Sequence, residues 1–315
     1  MSFFRRLYEF DYMGHKVWWF TLSGILIAVS IASLAVKGLD FGLEFQEGTR
    51  ITVSFEQPPA LGDLRDAVST AGYGNAQIQQ TANVAGASVE GFQIQVPMLS
   101  NAQQVELREA LDEQFIIEES DGKQVWGVET VSASFGRQVV GSSLKAIGVA
   151  LLLILAYVTF RFQWKYALSG IAAVVHDTLI VVGIYSLTGR EVTTATIAAV
   201  LTIMGYSLYD NVIVFDRIRE NEGKLTRTSY ASLVNESLIE MLTRSLNTMF
   251  TSLLPVICLL LFGGETLKDF AFALLVGILL GAYSTFFVSG PVLTVLKERE
   301  PRFKKLKAAA RAEQA

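Results

Sequence analysis

The chain has 315 residues; 51% are hydrophobic and only 18% charged, where a soluble domain carries about 25% charge. A net charge of −4 argues against nucleic acid as the main partner. The single cysteine, Cys258, lies in an apolar run, so no intramolecular disulfide can staple a domain.

Residues 1–16 form a short segment containing Arg5, Arg6 and Lys16, expected in the cytoplasm. Residues 17–36 are uncharged and long enough to cross a bilayer, which takes roughly 20 apolar residues. No small-residue cleavage site follows, so this span is expected to be retained.

Residues 37–140 differ in kind: the apolar runs become short and alternating. Residues 49–56, 75–81, 92–96 and 127–134 are predicted strands. Residues 61–71 are a predicted helix with Leu61, Leu64, Val68 and Ala71 on one face. A second, 102–115, has Val105, Leu111 and Phe115 as its apolar positions and Ser100 as cap. The order strand-helix-strand-strand-helix-strand is the split, ferredoxin-like α+β pattern. Fifteen acidic residues against six basic ones suit a solvated surface or a docking face for a partner.

Residues 141–296 predict five further spans: 145–160 (extended by 141–144), 166–187, 192–215, 245–262 and 270–296. The last is long enough to tilt or to break at Pro291. Between the fourth and fifth, residues 217–244 include an amphipathic stripe of Leu233, Val234, Leu238, Met241 and Leu242, expected along the inner membrane surface. Residues 297–315 form a basic tail. Placing both termini inside puts 17 of the 26 lysines and arginines on the cytoplasmic side. The predicted class is a polytopic α-helical membrane protein with six transmembrane helices. One exported α+β domain lies between the first and second.

Three ionisable residues stand out inside spans, where each costs at least ~2.5–3.5 kcal/mol at the bilayer centre and is a functional candidate by default. They are His176 and Asp177 on the third span and Asp210 on the fourth. Tyr206, Ser207, Asp210 and Asn211 share one helical face, expected to point into the bundle. Burial and pairing both change a carboxylate's affinity for protons. Asp210 is therefore a proton carrier or a hydrogen-bonded structural carboxylate. Arg244 is its candidate counter-charge, with a local Glu240–Arg244 pair as the plainer alternative. His176 and Asp177 form part of a relay or an interhelical polar clamp. Neighbouring positions point about 100° apart, so the two are not expected to face one partner helix. Gly277 and Gly281 on the sixth span would let another helix approach closely.

These motifs resemble a known family. Gly205-Tyr206-Ser207-Leu208-Tyr209-Asp210, followed by Val214-Phe215-Asp216-Arg217-Ile218-Arg219-Glu220-Asn221, is similar to the signature of SecF. That family is the smaller half of the bacterial SecD–SecF auxiliary translocase. Arg161-Phe162-Gln163-Trp164, His176-Asp177 and Phe262-Gly263-Gly264 match in the expected order. Two motifs depart: Tyr209 stands where the family has Asn, and Gly42–Thr49 carries Glu44 and Glu47 in place of an Asp and a Gly. The resemblance implies a fold related to resistance-nodulation-division exporters, built from two six-helix halves, with SecD supplying the other. It implies an inner-membrane location, contact with the Sec channel (SecYEG) and with exported unfolded polypeptide, and coupling of the protonmotive force to late export. It also implies a proton relay at Asp210 and Arg244. The alternatives are a small-molecule or lipid exporter of the same superfamily, or a scaffold that only stabilises its partner. No phosphate-cradling glycine loop with Lys and no metal-spaced His/Cys cluster is present, so neither enzymatic activity nor a cofactor is expected.

Overall fold

The structure, a computed structural model, describes residues 8, 10–45, 48–81, 91–120, 122–223 and 228–314. The chain divides into two compact units. One is Met1–Asp40 with Lys145–Ala315, and the other is Phe41–Leu144. The larger unit contains α1 (Lys16–Val36), which fully buries only Ser23, Ser30 and Ser33 while most of its apolar side chains point outward. That inversion is what helix packing in a bilayer favours, since small polar residues allow close approach and apolar ones meet lipid.

The smaller unit contains β1 (Gly48–Ser54), α2 (Leu61–Thr70), β2 (Gln77–Thr81), β3 (Gly91–Val96), α3 (Asn101–Phe115) and β4 (Trp126–Val131). The four strands make one antiparallel sheet in the order β2-β3-β1-β4, with Ile51 opposite both Ile94 and Val128. Strand β1 is central because its alternate residues Ile51 and Val53 are fully buried. Leu64, Ala67 and Val68 of α2 cover the same core as Leu107 and Leu111 of α3. Each fully buried Leu contributes about 1.5–3 kcal/mol. Ser100 and Gln103 close α3 with a reciprocal capping box.

Three sequence expectations shift here. Leu61 opens α2 and stays exposed. Val105 is also exposed, because Leu107, Leu111 and Phe115 fall at i, i+4 and i+8 and a residue two places earlier points away. The last strand stops at Val131 because α4 (Ala133–Arg161) begins two residues later.

The second unit continues with α5 (Trp164–Thr188), α6 (Thr194–Glu222), α7 (Tyr230–Phe262), α8 (Glu265–Ser284), a π-helical turn (Thr285–Ser289), α9 (Gly290–Lys297) and α10 (Pro301–Gln314). Six helical stretches among the described residues are long and apolar enough to cross a membrane: Lys16–Val36, Phe135–Arg161, Trp164–Thr188, Thr194–Glu222, Tyr230–Phe262 and Leu267–Lys297. The protein is a multi-pass membrane protein. Helix α5 ends on Gly189, whose φ of 64° only glycine adopts without strain. Helix α4 is nearly bare; Val158 is its one buried apolar side chain among those described.

The amphipathic stripe is a correction. Residues 230–244 are the first part of α7 and continuous with the fifth span. Leu233, Val234, Leu238 and Leu242 are buried against Phe215, Ile218, Leu293 and Phe303, so the stripe meets protein instead of the membrane surface. The segment before α1 joins this core. Tyr12 and Met13 are buried, the Tyr12 amide donates to Asn235 at 2.7 Å, and burial pushes the Tyr12 hydroxyl above its usual range. The interruption of the sixth span begins six residues before Pro291, where it was expected. The π turn ends just before α9, where Pro291 sits in the first helical turn and its missing N–H is tolerated.

Close approach is bought with glycine in two places. A Cβ on Gly183 of α5 would lie 2.2 Å from the Ser30 Cβ of α1. One on Gly277 of α8 would lie 2.3 Å from the Ile203 side chain of α6, which accounts for Gly277, while one on Gly281 would meet Tyr206 no closer than 3.4 Å.

Candidate functional site

Helices α5, α6, α7 and α8 converge on a buried polar centre. From α5 come His176 and Asp177, from α6 Ser207, Asp210 and Asn211, from α7 Ser245, and from the end of α8 Ser284. The Asp177 Oδ1 lies 2.9 Å from His176 Nδ1. Its Oδ2 accepts from Ser207 Oγ at 2.8 Å and from Ser284 Oγ at 2.6 Å. Asp177 thus ties three spans together. Asp210 Oδ1 accepts from Ser245 Oγ at 2.8 Å, and the Thr285 hydroxyl of the π turn lies within reach of the same carboxyl. Ser207, which binds Asp177, and Asp210 are three residues apart on α6, so both carboxylates lie against the same face of that helix.

Two polar atoms in this centre have no hydrogen-bond partner among the described residues: His176 Nε2 and Asn211 Oδ1. Leaving such a group buried and unpaired costs about 1–3 kcal/mol. The His176 ring stacks on Tyr283 of α8 with centroids 5.9 Å apart. His176 and Asp177 therefore both face α8, against expectation. The imidazole folds onto its neighbouring carboxylate, and α8 is broad enough to meet both.

The expected polar face of α6 is buried at Ser207, Asp210 and Asn211, while Tyr206 is half-buried beside Ser252 of α7. Asn211 Nδ2 donates to the Ser207 carbonyl at 2.7 Å, within its own helix. Tyr209 is 55% exposed and turned away from the centre, so this departure from the family pattern leaves Asp210's contacts on α7 intact. Glu47 lies outside the described residues.

Arg244 is exposed, and among the described residues no ion pair joins it to a carboxylate. It precedes Ser245, whose hydroxyl is the group that reaches Asp210, and its guanidinium lies within electrostatic range of the same carboxyl without a direct ion pair. Glu240 is engaged elsewhere, accepting from Arg217 Nε at 2.5 Å and Asn221 Nδ2 at 3.0 Å.

The charged run after Phe215 forms a latch across the end of the bundle. Asp216 pairs with Arg161 at 3.3 Å, Arg217 with Glu220 at 2.6 Å, Arg219 donates to the Arg161 carbonyl at 3.3 Å, and Asn221 to Ser237 Oγ at 3.0 Å. Behind it lies a residue that sequence reasoning treated only as a tail charge. Lys297 is 1% exposed; its Nζ donates to Gln163 Oε1 at 2.7 Å and lies 3.4 Å from Glu222. The rings of Tyr166, Phe303 and Tyr230 surround it at 5.1, 5.5 and 6.0 Å. The Gln163 of the Arg161–Trp164 run was the available signal.

Residues 114–299 match the family described as protein export membrane protein SecD/SecF, C-terminal, and residues 32–59 match the SecD/SecF GG motif. The protein translocase subunit SecF of Desulfurispirillum indicum is 36% identical over 309 residues, 96% of either chain. The chain belongs to the SecF family. A second SecF relative, from Petrotoga mobilis, is 35% identical and covers 94% of this chain and 98% of its own. The crystal structure of SecDF from Thermus thermophilus, described as a translocon-associated membrane protein, superposes with a TM-score of 0.82 at 36% identity. It covers 92% of this SecF-family chain and 39% of its own length. Both buried carboxylates, the latch and Lys297 fall inside the matched 114–299 region.

Proposed function

We propose that this SecF-family chain is the smaller half of an auxiliary protein translocase in the bacterial cytoplasmic membrane, coupling proton movement to late steps of export through the Sec channel. The observation that carries this is Asp210: a buried carboxylate between spans, held by the Ser245 hydroxyl, with an uncommitted arginine at the next position of α7. In one bundle arrangement the carboxyl keeps the Ser245 contact. In another, α7 turns and Arg244 takes its place, and the carboxyl gains and loses a proton between the two. Asp177 and His176 extend the relay through Ser207. Each charge crossing the membrane is worth roughly 2.3 kcal/mol per 100 mV, enough to bias a two-state motion about 50-fold.

The bare apolar length of α4 is the surface for SecD, the other six-helix half. The SecDF relative supports this, since this chain aligns to only 39% of it. Both termini are cytoplasmic and the Phe41–Leu144 unit is exported. The antiparallel order of its sheet supports a ferredoxin-like domain, while its placement outside rests on the lysine and arginine distribution. This unit holds and releases the emerging unfolded polypeptide.

Asp210→Asn, reconstituted with SecD and the Sec channel, should abolish proton-dependent stimulation of export while the complex still assembles. Normal stimulation in that variant would remove Asp210 from the mechanism and leave the scaffold reading.

A further inference from the structure

On one side of the bundle α4 closes at Arg161, α5 opens at Trp164, α6 closes at Glu222 and α9 closes at Lys297. Each is the end of a membrane span, so the level they define is a bilayer surface. Here the fold leaves a cavity of about 310 Å³ lined by Arg161, Arg219 and Arg302, with Gln163, Tyr166 and Glu222. Its one lining carboxylate is already engaged, because Glu222 accepts from the Tyr166 hydroxyl at 3.0 Å and pairs with Lys297. Among the described residues neither Arg219 nor Arg302 forms an ion pair. Arg219 gives one N–H to the Arg161 carbonyl, and the Arg302 guanidinium lies 5.4 Å from the Phe303 ring. Arg161 reaches Asp216 at 3.3 Å with both side chains about half exposed, a weak hold.

We propose that this cavity binds a phosphate group, carried by an anionic phospholipid or by a free phosphate anion. Three arginines line it, and the planar donors of a guanidinium match phosphate oxygens two at a time. Basic pockets between spans at a membrane surface are the setting in which anionic headgroups are held. The volume is at the small end of ligand pockets, roughly 300–1,000 Å³, enough for a headgroup and too little for acyl chains. Those chains would find an apolar wall outside, where Phe160 is 95% and Trp164 60% exposed beside Arg161. The site is separate from the Asp210 centre. A headgroup bound here would bridge the α4–α5 junction, α6 and α10.

The full chain, purified with its partner subunit in detergent, is titrated calorimetrically with dihexanoyl phosphatidylglycerol, dihexanoyl phosphatidylcholine and inorganic phosphate. Saturable binding of phosphatidylglycerol and none of phosphatidylcholine is expected. The Arg219→Gln/Arg302→Gln double variant should weaken it at least ten-fold and the double lysine variant less. If inorganic phosphate binds as tightly as phosphatidylglycerol and is lost in the same variant, the site holds but its ligand is the free anion. Equal binding of both lipids, no saturable binding of either phosphate probe, or unchanged affinity in a double variant with an intact helical spectrum overturns the proposal. Should the double variant fail to fold, Arg302→Gln alone, at an exposed position early in α10, is expected to weaken binding at least three-fold; unchanged affinity there counts against the site equally.

Discussion

Lys297 keeps an ammonium group inside the protein by surrounding it with two carboxylates, Glu222 and the more distant Glu300, one amide oxygen and three aromatic faces. Desolvating such a group costs several kcal/mol, recovered only if its partners are all in place. Lys297→Met preserves the apolar bulk but leaves Glu222 facing the cavity without its cation, and breaking a buried pair costs about 3 kcal/mol or more. For a helical body of this size that lowers the thermal midpoint by roughly 5–10 °C. Tryptophan fluorescence during heating in detergent measures it, and an unchanged midpoint would mean the cage is not stabilising. Apart from Gln163 in the Arg161–Trp164 run, none of this was legible in the sequence. Lys297 already had an explanation as a positive charge at a span end, and its partners Gln163 and Glu222 lie far along the chain. The carboxylates were legible, because a charge among apolar residues is conspicuous in a span. What Asp177 does was not: its donors Ser207 and Ser284 are ordinary helix residues until the fold brings them to it.

Packing between helices turns on small residues, and their partners are invisible to periodicity. Gly277 and Gly281 stood out as a spaced pair. Gly183 did not, though its contact is the tighter one, since a Cβ there would meet the Ser30 backbone Cα at 2.7 Å as well as its side chain. Backbone cannot swing aside as a side-chain end can. Gly183→Ala should push α1 away from α5, stretch the Ser33–Ser186 hydrogen bond of 2.8 Å, and cost about 1–3 kcal/mol. The midpoint of thermal unfolding should fall by a few degrees. Ser30→Gly in the same chain should recover part of that loss, because it removes the nearest atoms. If Gly183→Ala unfolds like the parent protein, the helix pair is looser than described. The same distinction explains the amphipathic stripe of α7. Its spacing was read correctly, but spacing says only that one face is apolar, and the core that buries it comes from Tyr12, Leu293 and Phe303, at the two ends of the chain.

For the whole molecule, hydropathy was sufficient to find the six spans, since a bilayer core admits only long apolar helices and each here exceeds the required length. In the smaller unit, alternation located four strands but not their sheet order, which depends on pairings such as Ile51 with both Ile94 and Val128. Orientation rests on a separate physical bias, the retention of lysine and arginine on the cytoplasmic side. That bias has force over the short loops and the tail and little over the long segment between the first two spans. Labelling tests it directly. Cys258 lies exposed within a span and is first replaced by serine. Lys123→Cys and Lys304→Cys are then made singly at exposed positions of the smaller unit and of α10. In intact cells freed of their outer barrier, a membrane-impermeant maleimide should modify position 123 at once and position 304 only after the membrane is permeabilised. The reverse order would invert the protein, placing the acidic unit in the cytoplasm, where it could not meet a chain emerging on the far side.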